Sequence, residues 1–240
     1  KNFADYQKAM DWKVNTSNNT VYADNKGNIA YWHGNFVPKR DPAKDWSLVQ
    51  DGTVSTNDWK GLHEVKDLVH VYNPASAWIQ NCNSTPFTVS GSSSPIKSNY
   101  PVYMAPDGEN FRDLNAVRLF SNTTKMDLND LIHLGYDRRL TAFELLIPAL
   151  TKAYDAQPRP ELKALVDTLS AWNYEADVNS IAQHIAIRWA NVLLPNIPKI
   201  KQFGGETDPV INFKRFAANA SPEVLLNSLA QVKASIEQQF

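Results

Sequence analysis

From Tyr72 to Pro86 the chain reads Tyr-Asn-Pro-Ala-Ser-Ala-Trp-Ile-Gln-Asn-Cys-Asn-Ser-Thr-Pro, a dense set of side-chain amides beside strand-forming residues. Asparagine is a poor strand former, so Asn81 and Asn83, two apart and on one side of an extended chain, call for a reason. One reason is structural: both amides bond local backbone and shape turns. The other is chemical: a fixed amide N–H donates to the negative oxygen of a tetrahedral intermediate, commonly worth about 3–4 kcal/mol. Sequence physics alone leans to the structural reason. Cys82, between the two amides, is a formal candidate nucleophile, but no basic neighbour in sequence lowers its pKa, so an inert thiol is expected.

The other chemistry-bearing residues are sparse. His33, His63, His70, His133 and His184 have no second histidine or cysteine at the spacing of a helical metal site, so structural roles are expected. Asp127, Asp130 and Asp137 lack the alternating ligands and central glycine of a calcium loop and read as a solvated helix face. Gly204-Gly205 lacks the lysine and hydroxyl of a phosphate loop and reads as a turn. Arg112 alone reads as a surface ion pair.

The elements that must position these residues change character along the chain. Thr20–Ala23 and Ile29–His33 are β-branched and aromatic runs around Asp24-Asn25-Lys26-Gly27-Asn28, which predicts a β-hairpin. Residues 35–73 carry prolines, aspartates and isolated tryptophans without a sustained period, which predicts a surface loop pinned by Trp46 and Trp59. A short third strand is expected at Ala77–Gln80, and a loop from Ser90 to Pro106. Further on, Thr141 with Glu144 fits a capping box, so a helix should begin near Ala142, kinked by Pro148. Leu162, Leu165, Val166, Leu169 and Trp172, then Ile181, Ile185, Trp189 and Val192, recur at helical spacing. Ser221-Pro222-Glu223 is a helix entry, and the last helix runs to Phe240 without a glycine stop, as expected where a natural chain continues. The class implied is α+β: a sheet region with long loops over 1–106, then a mainly helical region over 107–240.

Composition narrows the partners. With 24 basic against 25 acidic residues the net charge is −1, too little to draw in phosphate backbones or anionic membranes. A hydrophobic fraction of 43% can fill a core, one cysteine cannot form an internal disulfide, and no run approaches the roughly 18 apolar residues of a membrane span.

The pattern Asp24-x-x-Gly27-Asn28-Ile29-x-Tyr31 resembles the penicillin acylase family of N-terminal-nucleophile hydrolases, filling every fixed position of that family's hairpin turn. Trp59-Lys60-Gly61-Leu62 is similar to its tryptophan-glycine turn. Asn73-Pro74 through Asn81-Cys82-Asn83 is similar to its asparagine signature, with Ala77 in place of a glycine and Trp78 in place of a tyrosine. The resemblance implies an antiparallel sheet of that hydrolase type followed by helices. It also implies that Asn83 is the oxyanion-hole donor, Asn81 a scaffold neighbour, and Arg112, with Arg118 six residues on, an active-site support. The family's nucleophile is the first residue of the large subunit, whose own α-amino group, of pKa about 7.7–8.0, acts as base. Lys1 cannot fill that role, so the nucleophilic serine is expected in an upstream segment, and these residues alone are expected to be inactive. Some members bind calcium through a carboxylate and a loop carbonyl; Pro42 could match the latter, the carboxylate has no clear counterpart, and no metal or cofactor is expected. The implied partners are a small N-acyl amide substrate and the remaining parts of the same acylase; the implied location is the periplasm or outside the cell. The alternative is a non-catalytic module whose tryptophans grip an acyl group.

Overall fold

The computed structural model describes residues 2–201 and 207–239, so Gly204-Gly205 lies outside the described residues. The chain divides into two compact units, Lys1–Thr124 with Lys201–Asp208, and Lys125–Ile200 with Pro209–Phe240.

The first unit is built on an antiparallel sheet of β1 (Thr20–Ala23), β2 (Ile29–Trp32) and β3 (His70–Tyr72), in the order β1-β2-β3. The expected hairpin forms, with Thr20 opposite Trp32 and Ala23 opposite Ile29. Its turn is local chemistry: Asp24 Oδ1 accepts from the backbone N–H of Lys26 and Asn28, and Gly27 supplies φ +84. The third strand, however, is not at Ala77–Gln80. Ala77 stands at φ +59, outside the β region, and the strand lies at His70–Tyr72, inside the segment read as loop. Three residues carry too short a pattern to be read locally; pairing with β2 decides them.

Central β2 is covered on both faces. Ala30 and Trp32 pack with Met10 and Val65 beneath α1 (Phe3–Met10), a helix the sequence expectation does not include and which Asn2 caps by accepting from the Asp5 N–H. On the opposite face Tyr31 packs with Val71 and Val89. Within the long surface segment Trp46 and Trp59 gather around Arg40, whose guanidinium carbon lies 5.4 Å from the Trp46 ring centre and 5.8 Å from that of Trp59. The unit's second helix, α2, spans Phe111–Ser121.

The second unit is helical: α3 (Leu128–Gly135), α4 (Phe143–Ala156), α5 (Lys163–Ser170), α6 (Ile181–Leu193), α7 (Pro209–Asn219) and α8 (Pro222–Gln239). Asp127 and Asp130 are more than a solvated face: each side chain accepts from the other's backbone N–H in a capping box that starts α3. At α4 the reverse holds. The helix starts where expected, but Glu144 is taken by Arg139 and the buried Thr141 hydroxyl has no hydrogen bond, so no capping box forms there. A charge-assisted pair outcompetes a neutral backbone donor for the carboxylate. The helix continues through Pro148, whose exposed ring puts the missing backbone bond on the solvent side. Leu146, Leu150, Leu169, Trp189, Leu225 and Leu229 are fully enclosed in a core where α8 packs on α4 and α6, and α5 packs on the same two helices, and the Trp189 indole N–H donates to Ser228 Oγ at 2.8 Å. Ile185 and Trp189 reach this core, whereas Ile181, at the same helical spacing, is 72% exposed. No helix among the described residues is long and apolar enough to cross a membrane.

Candidate active site

The two sequence motifs meet in space. Asn73 extends the ladder beyond β3: its Oδ1 accepts from Ile29 N–H at 2.9 Å, and its Nδ2 donates to Asn28 Oδ1 at 3.0 Å, an oxygen that also accepts from the Tyr72 hydroxyl. The hairpin turn is thereby tied to the start of the asparagine segment. That segment then bends at Ala77, in the left-handed region at a cost of about 1–2 kcal/mol for a residue with a Cβ. This is the physical reason for glycine in the family pattern at the place Ala77 occupies. Trp78 stacks on Phe120, their ring centres 5.2 Å apart, and Ser90 Oγ donates to the Trp78 carbonyl.

Asn81 and Asn83 do not share one side of an extended strand, because Asn83 turns the chain at φ +53. Asn81 Oδ1 accepts from Asn19 Nδ2 beside β1. Asn83 is exposed and lines a cleft, and the start of α2 grips its loop. Asn110 caps α2 with its Oδ1 while its Nδ2 donates to the carbonyls of Cys82 and Asn83. Arg112 Nη2 donates to the Cys82 carbonyl at 2.9 Å and approaches Asn83 Oδ1 at 3.5 Å. Arg112 and Asn83, both expected site residues, are therefore neighbours. The guanidinium faces the amide oxygen, which leaves the Asn83 Nδ2 group as the free donor.

Beneath the loop sits a residue that the sequence does not single out. Asp113 is 0% exposed and accepts from Gln80 Nε2, from Thr88 Oγ1 at 2.8 Å and from the Ser84 side chain. Burial pushes its carboxyl pKa up, against the downward pull of those donors. The Cys82 thiol is also pushed up, first by burial and then by Asp113, which makes it a poor nucleophile at neutral pH.

The cleft has a volume of about 520 Å³, and its walls include Asn19, His33, Gly34, Arg40, Trp59, Asn83, Tyr103 and Asp107. His33 Nε2 lies 3.0 Å from Asp107 Oδ2, and its Nδ1 lies 3.2 Å from the Tyr31 hydroxyl. With the carboxylate accepting at Nε2, Nδ1 is the ring atom left to face the phenol as donor. Burial, then the Asp107 charge, holds Tyr31 protonated as that donor, and the His33 hydrogen bond holds Asp107 below its ordinary range as a carboxylate. Spacing hints at this pair only through the strand alternation that puts Tyr31 and His33 on one side. Elsewhere His63 bonds Tyr103, and His70 donates to the Leu68 carbonyl. Among the described residues no group of three or more His, Cys, Asp or Glu side chains is placed to hold a metal ion.

A family model described as penicillin amidase matches residues 1–240. The chain belongs to the penicillin amidase family. Penicillin G acylase of Escherichia coli is 38% identical over 87 residues, a stretch covering 33% of this chain and 10% of that protein. Thermostable penicillin G acylase from Alcaligenes faecalis superposes with a TM-score of 0.68 at 18% identity, over 99% of this chain and 49% of that one. This amidase-family chain thus shares the α+β fold of that acylase and spans about half its length.

Proposed function

We propose that this chain is part of an amidase that hydrolyses a linear N-acyl amide by acyl transfer to an N-terminal serine contributed by a segment outside these residues. Asn83 supplies the side-chain donor of the oxyanion hole, and Arg112 orients it. The observation that carries this reading is the pairing of Arg112 with the oxygen end of Asn83, on a loop clamped by Asn110 and Asp113 at the wall of the cleft. A donor that is aimed in advance needs no reorganisation as charge develops on the carbonyl oxygen.

In this scheme the serine hydroxyl oxygen attacks the substrate carbonyl while the serine's own α-amino group takes the hydroxyl proton. Asn83 Nδ2 donates to the oxyanion, the C–N bond breaks, and the α-amino group hands its proton to the departing amine. Water attacks the resulting ester in the same manner and releases the carboxylic acid. Family likeness supports β-lactam, homoserine-lactone and lipopeptide amides as the range to screen, and a periplasmic or secreted location. In the complete polypeptide Asn83→Ala should lower kcat by roughly a hundredfold or more; near-normal turnover would remove Asn83 from the mechanism. Mass spectrometry of the native gene product should find a cleaved large subunit beginning with serine. An uncleaved product would instead favour a non-catalytic acyl-binding module.

A further inference from the structure

Asn110 caps α2, but capping alone does not call for asparagine, because serine and aspartate accept from the first backbone N–H groups of a helix equally well. Asn110 uses only half of its amide in that way: Oδ1 accepts from the Arg112 and Asp113 N–H groups at 3.1 and 3.0 Å. The other half reaches away from the helix, where Nδ2 donates to the carbonyls of Cys82 at 2.9 Å and Asn83 at 3.2 Å. An amide accepts at one end and donates two N–H bonds at the other, and serine and aspartate cannot do both here.

Those two bonds hold a backbone that does not hold itself. Asn83 stands at φ +53, in the left-handed region, which asparagine visits more readily than most residues but only as one conformer among several. Its exposed side chain takes no direction from core packing. Among the described residues the Asn83 carbonyl accepts from Asn110 alone, whereas the Cys82 carbonyl has Arg112 Nη2 as a second donor. The start of α2 is anchored independently of Asn110. Asp113 accepts from Gln80, Ser84 and Thr88 beneath it, and the Thr85 N–H donates to the Gly108 carbonyl at 3.0 Å. α2 is therefore a fixed frame, and Asn110 links that frame to the backbone of Asn83.

Resting on the amidase reading above, we infer that Asn110 is a positioning residue for the oxyanion donor. It touches no reacting atom; it holds Asn83 in the left-handed turn from which Nδ2 faces the developing charge. Arg112 orients the oxygen end of the Asn83 side chain, and Asn110 sets the backbone from which that side chain departs. Displacing such a group by about 1 Å costs on the order of a hundredfold in rate.

The test is a double-mutant cycle in the complete polypeptide, assayed with hexanoyl and phenylacetyl 4-nitroanilides. Asn110→Ser keeps a capping oxygen on α2 and removes the Nδ2 donor. Asn110→Asp keeps the cap and turns a second oxygen toward the two carbonyls. Each should lower kcat by about 10–100-fold, with KM within about threefold and a melting temperature near that of wild type. In the Asn83→Ala background the same substitutions should change kcat by less than about threefold, because no donor is left to aim. Near-normal turnover by both single variants would overturn the proposal. So would losses that multiply in the Asn83→Ala background, which would assign Asn110 to general support of the fold. If wild type hydrolyses neither anilide, the amidase reading fails separately, and crystal structures decide the positioning. Loss of the left-handed turn at Asn83, or of its approach to Arg112, in Asn110→Ser supports it; an unmoved Asn83 refutes it.

Discussion

Asp113 offers the sharpest stability test. Truncation to alanine removes the acceptor of three side chains, of which Gln80 and Ser84 are themselves buried. Each buried donor left without a partner costs about 1–3 kcal/mol, and part of this is recovered when the hydroxyls rotate toward other acceptors. Asp113→Ala should therefore destabilise the protein by about 3–5 kcal/mol. Asp113→Asn should behave differently. Its Oδ1 still accepts, its Nδ2 can donate to the Thr88 hydroxyl or to Gln80 Oε1, which is buried and lacks a partner, and no charge is desolvated. A loss of about 1 kcal/mol or less is expected at neutral pH. The pH dependence separates the two effects. Because burial raises the carboxyl pKa, the folded state binds this proton more tightly than the unfolded state, whose ordinary value is 3.8. This group's contribution to stability is then greatest in acid and declines as pH rises from the unfolded value through the raised folded one. Urea unfolding of wild type and Asp113→Asn from pH 4 to 8, followed by circular dichroism, should show the asparagine variant gaining on wild type as pH rises. A variant as damaged as Asp113→Ala, or a difference that does not change with pH, would refute this account of the buried carboxyl.

Asp24 should titrate with a midpoint of about 2, held down first by the Asn28 side chain and then by backbone and Tyr22 donors. Its hairpin contribution is present above the ordinary carboxylate value and is lost as pH falls through about 2, which a carboxyl-carbon NMR titration reads directly. Gly91→Ala should destabilise by roughly 2–4 kcal/mol, since Gly91 has φ +56 and a Cβ would stand 2.9 Å from Trp78 Cζ2. An unchanged melting temperature would show that the Trp78–Phe120 stack moves aside freely.

Features whose causes are short-range were legible in the chain itself. Asp24, Gly27 and Asn28 specify their turn through bonds spanning at most four residues, and Ser221 caps α8 by accepting from the Val224 N–H. The asparagine segment stood out by residue type and Arg112 only through the family resemblance, and their meeting did not follow from spacing. Tertiary competition decided the rest. Three residues at His70–Tyr72 became a strand because β2 had an edge to pair, while Ala77–Gln80 was bent away by a left-handed residue. Glu144 satisfied the capping pattern but was claimed by Arg139. The cleft brings together Asn19, His33, Arg40, Asn83 and Asp107, residues up to 88 positions apart by their numbering, so no local window could have assembled it. Hydrogen bonds and turn preferences act over a few residues and can be read in order along the chain, whereas burial, charge pairing and cleft shape depend on which distant segments the core forces together.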